Sequence, residues 1–226
     1  MTDGRARATV IASIADGISR VVRAHPVRVA VDGRTASGKT TLANELARAL
    51  ETRGHPVIRT SIDGFHNPRA IRYRLGRMSP EGYYRDARDL AAVRRLLLDP
   101  LGPGGDWLYR TEAFDLERDE PVDQDPRRAV ADAVLIVDGT FLQRPELAGC
   151  WDYVVFVDVP EAVAIGRGAA RDAALFGGEE AAKAGHRDRY QRAFTLYETE
   201  CNPIRSADVV IVNDPVDAPK LVRWPA

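Results

Sequence analysis

The chain has 226 residues, 45% of them hydrophobic and 29% charged, with 32 lysines and arginines against 33 acids and a net charge of −1. Such a balance excludes disorder, collagen-like repeats and a chain built of membrane spans, and without a basic excess nucleic acid is not the expected partner. Only Lys39, Lys183 and Lys220 are lysines, so positive charge is carried mostly by guanidinium, the group suited to planar bidentate contacts with phosphate.

In chain order, Val10, Ile11, Ile14, Ile18, Val21 and Val22 recur at helical spacing and predict an amphipathic helix over 9–24. Asp16 interrupts the longest apolar stretch there, so neither a signal peptide nor a membrane helix is expected, and the expected location is the cytoplasm. VRVAVDG (27–33) reads as a buried strand, 39–52 as a helix ended by Gly54, and VIRTSID (57–63) as a second strand. This strand–helix–strand unit implies parallel pairing. Residues 64–85 have no sustained period and are rich in arginine and aromatics. A helix over 86–98, a Pro/Gly turn at 99–105 and a strand or hairpin within 106–122 follow. AVLIVDG (133–139) and YVVFVDV (153–159) are buried strands, helices cover 161–175 and 179–200, and VVIV (209–212) is the last strand. With no repeat or interdomain linker, the pattern predicts a single α/β domain over 1–226, a parallel sheet flanked by helices. Cys150 and Cys201 are too few for a disulfide framework or a four-ligand zinc site. His25, His55, His66 and His186 lack metal-ligand spacing.

Residues 33–40, GRTASGKT, follow a strand and open a helix, the context in which GxxxxGK[ST] binds phosphate. Gly33, Arg34, Thr35, Ala36, Ser37, Gly38, Lys39, Thr40 and Thr41 are the expected ATP-binding residues. Loop N–H groups and the helix N-terminus cradle the phosphates, Lys39 reaches the β/γ-phosphates, and the Thr40 hydroxyl ligates Mg²⁺. No NKxD tetrapeptide is present to read guanine, which favours a kinase over a GTPase.

Ligands of open α/β sheets bind beyond the carboxyl ends of the strands. Asp63, in SIDGFH, stands where an acceptor hydroxyl would meet the γ-phosphate and is the candidate general base; an Asp-Gly turn residue is the other reading. Asp138 ends an apolar strand, as the Walker-B acid does that holds Mg²⁺; a turn is again the alternative. Asp32 serves either the loop backbone or the ligand, and Asp158 reads as structural. Arg167 and Arg171 lie four residues apart on one helix face, with Arg187 and Arg189 further on. These guanidiniums either converge on the transferring phosphoryl group or form a solvated basic face.

With these residues in view the chain resembles the uridine kinase and phosphoribulokinase family of P-loop kinases, over roughly 27–214. The matching pieces are GRTASGKTT, SIDGFH, FDLERDEPV (114–122), VLIVDGTFL (134–142), VDVPEAVAIGRGAARD (157–172) and RYQRAFTLYETECNPIRSADVVI (189–211). The resemblance implies a P-loop NTPase-type sheet with an acceptor-side insertion over about 64–130 and a lid over about 167–192. It implies ATP and Mg²⁺ as cofactors, Asp63 as base, and Arg167 and Arg171 in the lid. By the same resemblance Phe65, His66, Tyr84 and Phe114 border the acceptor pocket. Uridine–cytidine kinases have a YDFxxHSR-like stretch whose histidine meets the pyrimidine; here Phe114 replaces the tyrosine and Asp119 falls near the histidine's place. The arginines of 66–85 suit a phosphorylated or carboxylated acceptor, or are exposed loop residues. The expected activity is ATP-dependent phosphorylation of a small-molecule hydroxyl, a nucleoside 5′-OH by resemblance. A pantothenate-like acid, a sugar phosphate or a modified nucleoside is the alternative acceptor. An ATP-binding regulatory module is the rival of another class, and it has no need of Asp63. A homo-oligomer is left open.

Overall fold

A computed structural model describes residues 3–223 of the chain. The apolar runs form five strands of its central sheet, β1 (Val27–Gly33), β2 (Val57–Ser61), β3 (Val134–Asp138), β4 (Tyr153–Asp158) and β5 (Val209–Val212), and β6 (Lys220–Arg223) completes it. The spatial order is β6-β5-β4-β1-β3-β2. β1 to β5 are parallel, and β6 pairs antiparallel with β5 alone. The sheet is therefore an α/β sheet of mostly parallel strands, as expected, with an edge strand the sequence pattern does not announce. β6 has no apolar run to announce it: KLVR carries charge at both ends and is mostly exposed.

Side-chain alternation along β1 builds both halves of the core. Val29 and Val31 pack with Ile14, Ile18, Leu42 and Leu46 of α1 (Asp3–Ser19) and α2 (Lys39–Thr52). Ala30 turns to the opposite face, among Phe65, Leu97 and Phe194. A sheet covered on both faces requires strands with little polar character, which is why these runs were legible. α1 departs from its expected span of 9–24. It starts at Asp3 and stops at Ser19, where the Arg20 and Val21 N–H groups bond the carbonyls of Gly17 and Ile18 in a closing turn. Val22, counted on the apolar stripe, is 82% exposed.

The segment between β2 and β3 is assembled from short pieces. β2 ends at Ser61 rather than at 63, because the Ser61 hydroxyl accepts from the Asp63 N–H and starts a 3₁₀ turn over Ile62–Phe65. Short helices Arg69–Arg72 and Pro80–Arg85 follow. The helix expected from 86 begins at Leu90, where the Asp89 carboxylate caps the Ala92 N–H at 2.9 Å, and it widens into a π turn over Arg94–Leu98. The strand or hairpin expected within 106–122 is a short hairpin of Phe114–Asp115 with Glu120–Pro121, and a second small ladder joins Leu108–Tyr109 to Arg127–Arg128 beyond that range. After β4 come α3 (Glu161–Phe176), α4 (Glu179–Gly185), a π turn over His186–Gln191, and α5 (Arg192–Cys201). The continuous helix expected over 179–200 is thus interrupted by one wider turn. Among the described residues no helix is long and apolar enough to cross a membrane.

Register fixes the site. Val31 of β1 and Ser61 of β2 both pair with Asp138 of β3. The phosphate loop, the Asp63 turn and the end of β3 therefore emerge side by side at the carboxyl edge of the sheet.

Candidate active site

The loop after β1 is shaped by close approaches that only glycine allows. At Gly33 (φ +147°) a Cβ would lie 2.3 Å from the Val157 carbonyl oxygen, and at Gly38 (φ +96°) 2.5 Å from the Asn213 side-chain nitrogen. That Asn213 nitrogen donates to the Ser37 carbonyl at 2.8 Å, while its oxygen accepts from Arg7 at 3.0 Å, so the end of β5 braces the loop. No side chain caps α2, whose first-turn N–H groups are left to a ligand. Lys39 is buried and its Nζ donates to the Arg34 carbonyl at 2.7 Å. Burial pulls its pKa down to about 8, against the opposing pull of Asp32, Asp138 and Asp63.

Thr40 and Asp138 meet as the motif requires: the threonine hydroxyl donates to Asp138 Oδ2 at 2.6 Å. The other carboxylate oxygen accepts from Arg59 of β2, also at 2.6 Å, and Arg59 Nε donates to Asn44 at 3.0 Å. Two hard oxygen donors beside the phosphate loop fit Mg²⁺, which takes few protein ligands and completes its octahedron with water and phosphate oxygens. Asp32 takes no part. It is fully buried, its oxygens accept from the Gly33 N–H (2.7 Å), Gln143 (3.1 Å) and the Tyr197 hydroxyl, and burial raises its pKa despite those bonds.

Asp63 opens to the cavity while its Oδ1 accepts from Arg88 Nη2 at 2.6 Å. Desolvation pushes its carboxyl up, but the guanidinium of Arg88, followed by His66, outweighs this and holds it below the usual carboxylate range. His66 Nδ1 lies 2.7 Å from the Asp63 carbonyl oxygen, to which it donates. Burial, with Arg88 adding to it, lowers the His66 pKa to about 4, so the ring is neutral at physiological pH.

One cavity of about 820 Å³ joins these groups. Thr35, Ala36, Gly38, Lys39, Thr40 and Thr41 of the loop line it, together with Asp63, His66, Asp138, Arg167 and Arg171. Eight cationic side chains and three carboxylates face it, a strong local excess in a chain whose net charge is −1. Arg167 is tied to the loop side, donating to the Asn213 carbonyl at 3.1 Å and to Asp214 at 2.9 Å. Arg171 is paired with Asp172 (2.7 and 2.8 Å), which also accepts from or faces His186 Nε2 at 2.8 Å. Arg187 is exposed and paired with Asp188 and does not line the cavity, whereas Arg189 does.

Several expected residues lie elsewhere. Gly33, Arg34 and Ser37 shape the loop from behind without lining the cavity, and Arg34 reaches Gln191 (2.9 Å) and packs over Phe194. Phe65, Tyr84 and Phe114, expected by resemblance to border the acceptor, are core residues. The neighbour Tyr83 lines the cavity in place of Tyr84, whose hydroxyl donates to Glu200 at 2.9 Å. Asp119 acts one step back, accepting from the Arg69 N–H (2.9 Å) and Arg72 Nη2 (2.8 Å). Arg88, Arg59, Tyr73 and Tyr190 were not singled out as site residues by sequence, and Arg72 was weighed only among the arginines of 66–85. Their signal was only the arginine- and tyrosine-rich composition of the stretches they occupy.

No protein-family model matches the chain, and no curated protein matches it in sequence. Solved structures do match. A structure described as a possible uridine kinase, from Bacillus stearothermophilus, superposes with a TM-score of 0.70 at 26% identity, covering 91% of this chain and 97% of that one. The chain has the fold of the uridine kinase-like P-loop kinases. A Silicibacter protein assigned as a fructose transport system kinase shares this uridine kinase-like fold with a TM-score of 0.67, at 24% identity over 87% of this chain and 94% of that one. D-glycerate 3-kinase from Cryptococcus neoformans is more distant, with a TM-score of 0.51 and 13% identity over 82% and 86% of the two chains.

Proposed function

We propose that this protein transfers the γ-phosphoryl group of ATP to a hydroxyl of a small molecule, with Asp63 as general base. The observation that carries the reading is the shared cavity: Lys39 and Thr40 of the phosphate loop line it together with a carboxylate held ionised by Arg88. A nucleotide-binding module without catalysis has no use for that acid. The acceptor O–H donates to Asp63, its oxygen attacks the γ-phosphorus, and the bond to the β–γ bridging oxygen breaks. Asp63 keeps the proton and ADP departs. The transition state asks for positioning and charge neutralisation more than covalent help. Lys39 follows the transferring group, and the loop N–H groups hold the β-phosphate. Thr40 and Asp138 would hold Mg²⁺, which when bound neutralises phosphate charge as a Lewis acid. Residues 167–192 form the lid in this reading, carrying Arg167, Arg171 and Arg189 over the phosphates and the acceptor, and 64–130 is the acceptor side. A nucleoside 5′-hydroxyl is one acceptor within the class, favoured by the likeness to the Bacillus structure.

The test is ATP consumption with and without a panel of hydroxyl compounds, with products identified by mass spectrometry. The reading expects turnover that depends on the acceptor and a product heavier by one phosphoryl group. Slow turnover indifferent to every acceptor, with no phosphorylated product, would leave a regulatory module.

A further inference from the structure

The cavity lining includes a buried charge without a carboxylate partner. Arg189, in the π turn over 186–191, is 9% exposed and lines the cavity. Among the described residues it forms no ion pair with a carboxylate; its Nη1 donates only to the Tyr190 hydroxyl, at 3.4 Å, and its Nε has no hydrogen-bond partner. It is held instead among the rings of Tyr83, Tyr190 and Tyr73, with centroids 4.9, 5.2 and 5.7 Å from the guanidinium carbon. Ring faces offset part of the cost of burying a cation, but an unpaired buried guanidinium remains expensive unless an anion joins it. The ring of Tyr83 also lies under Arg88, 5.4 Å from its guanidinium carbon, and Arg88 keeps Nε and Nη1 without partners while Nη2 holds Asp63. Arg189 and Arg88 therefore share one ring, and Arg88 ties that ring to the base.

We infer that the acceptor carries an anionic group, a phosphomonoester or a carboxylate, which binds to Arg189 and Arg88 while its hydroxyl meets Asp63. This rests on the kinase reading above and names the acceptor class within it. A neutral nucleoside would leave the buried charge of Arg189 with only a neutral hydroxyl and ring faces; an anion supplies the opposite charge that this chain does not.

Two measurements test it. In the first, inorganic phosphate is titrated by calorimetry into the protein saturated with Mg²⁺ and a non-hydrolysable ATP analogue, so that the loop is already filled. One phosphate should bind, Arg189→Gln should weaken it by about 10- to 100-fold, and Arg189→Lys should recover part of the loss. The analogue's own affinity should change less than about twofold in both variants. Because Arg189 has no carboxylate partner to lose, Arg189→Gln should melt no lower than wild type, which separates a lost site from a lost fold. An equal loss of analogue affinity would assign Arg189 to the ATP phosphates and overturn the inference. The second measurement runs anionic acceptors against neutral counterparts: ribose 5-phosphate against ribose, glycerate against glycerol, with uridine as the neutral nucleoside. The anionic member should win in kcat/KM by at least about tenfold, and the winning pair tells phosphate from carboxylate. Phosphorylation of uridine at a rate unchanged by Arg189→Gln would sink the inference and leave the kinase reading standing. Phosphate binding as described, with no acceptor phosphorylated, would keep the anion site and remove the kinase.

Discussion

Lys39 and Asp63 both line the cavity, and the protein shifts both below their ordinary pKa values, to opposite effect on their charge. Burial lowers Lys39 to about 8, so in the empty protein its proton is lost as pH rises through 8. Phosphate oxygens placed on Nζ favour the charged form and raise the pKa again. ATP binding at about pH 8.5 should therefore take up protons, and affinity should fall as pH climbs further. Calorimetry in two buffers of different ionisation enthalpy measures this, and a heat independent of buffer would contradict it. Asp63 is held ionised by Arg88, which outweighs desolvation. A base is active above its pKa, so Arg88→Gln should move the acid limb of kcat/KM to higher pH; an unmoved limb would detach Arg88 from the base. Lys39, Thr40, Asp63 and Asp138 were legible because motifs and strand ends mark them. Arg88 was not, being joined to Asp63 across 25 residues of irregular chain. Nor does sequence tell Tyr83 from Tyr84, since adjacent aromatics differ only in which way the helix over Pro80–Arg85 turns them.

At the scale of elements, the N-terminus of α2 depends on Gly38. Alanine there would need a left-handed backbone and would press its Cβ on the Asn213 amide that braces the loop. Gly38→Ala should lower Tm by roughly 2–8 °C and weaken ATP by more than tenfold, read by calorimetric melting and nucleotide titration. Unaltered ATP affinity would mean the loop does not need this path. The element least visible in sequence is the π turn over His186–Gln191. The sequence reads as one helix through 179–200, but one widened turn shifts the face and turns His186 and Arg189 inward. His186 then seats against Gly168, where a Cβ would meet the ring at 2.1 Å. β1, α2 and β5 were legible to the residue because a covered sheet face or a glycine-bounded loop dictates their ends. β6 and the ladder between Leu108–Tyr109 and Arg127–Arg128 were not, being held by edge pairing and side-chain contacts.

Over the whole molecule, five parallel strands deliver the phosphate loop, Asp63 and Asp138 to one edge, and the helices from 161 to 201 bring arginines to the same cavity. Sequence foresaw the first half, since alternation of strand and helix allows few topologies. The second half depends on how far the chain after β4 folds back. Because ligand binds only the folded form, Mg–ADP at 100 times its Kd should stabilise by about 2.7 kcal/mol, raising Tm by roughly 5–11 °C. Lys39→Ala should lose most of that shift, and an equal shift in the variant would remove the phosphate loop from the binding site.

The central claim is that Asp63 accepts the proton of an acceptor hydroxyl, and the direct test is kcat of Asp63→Asn with the acceptor found by screening. The amide keeps size and most hydrogen bonding but cannot take the proton. Acceptor and ATP should bind nearly as in wild type by calorimetry, the acid limb of the pH profile should vanish, and kcat should fall by about 10²–10⁴. A variant keeping more than about half of the wild-type kcat would contradict the account and return Asp63 to the role of a turn residue.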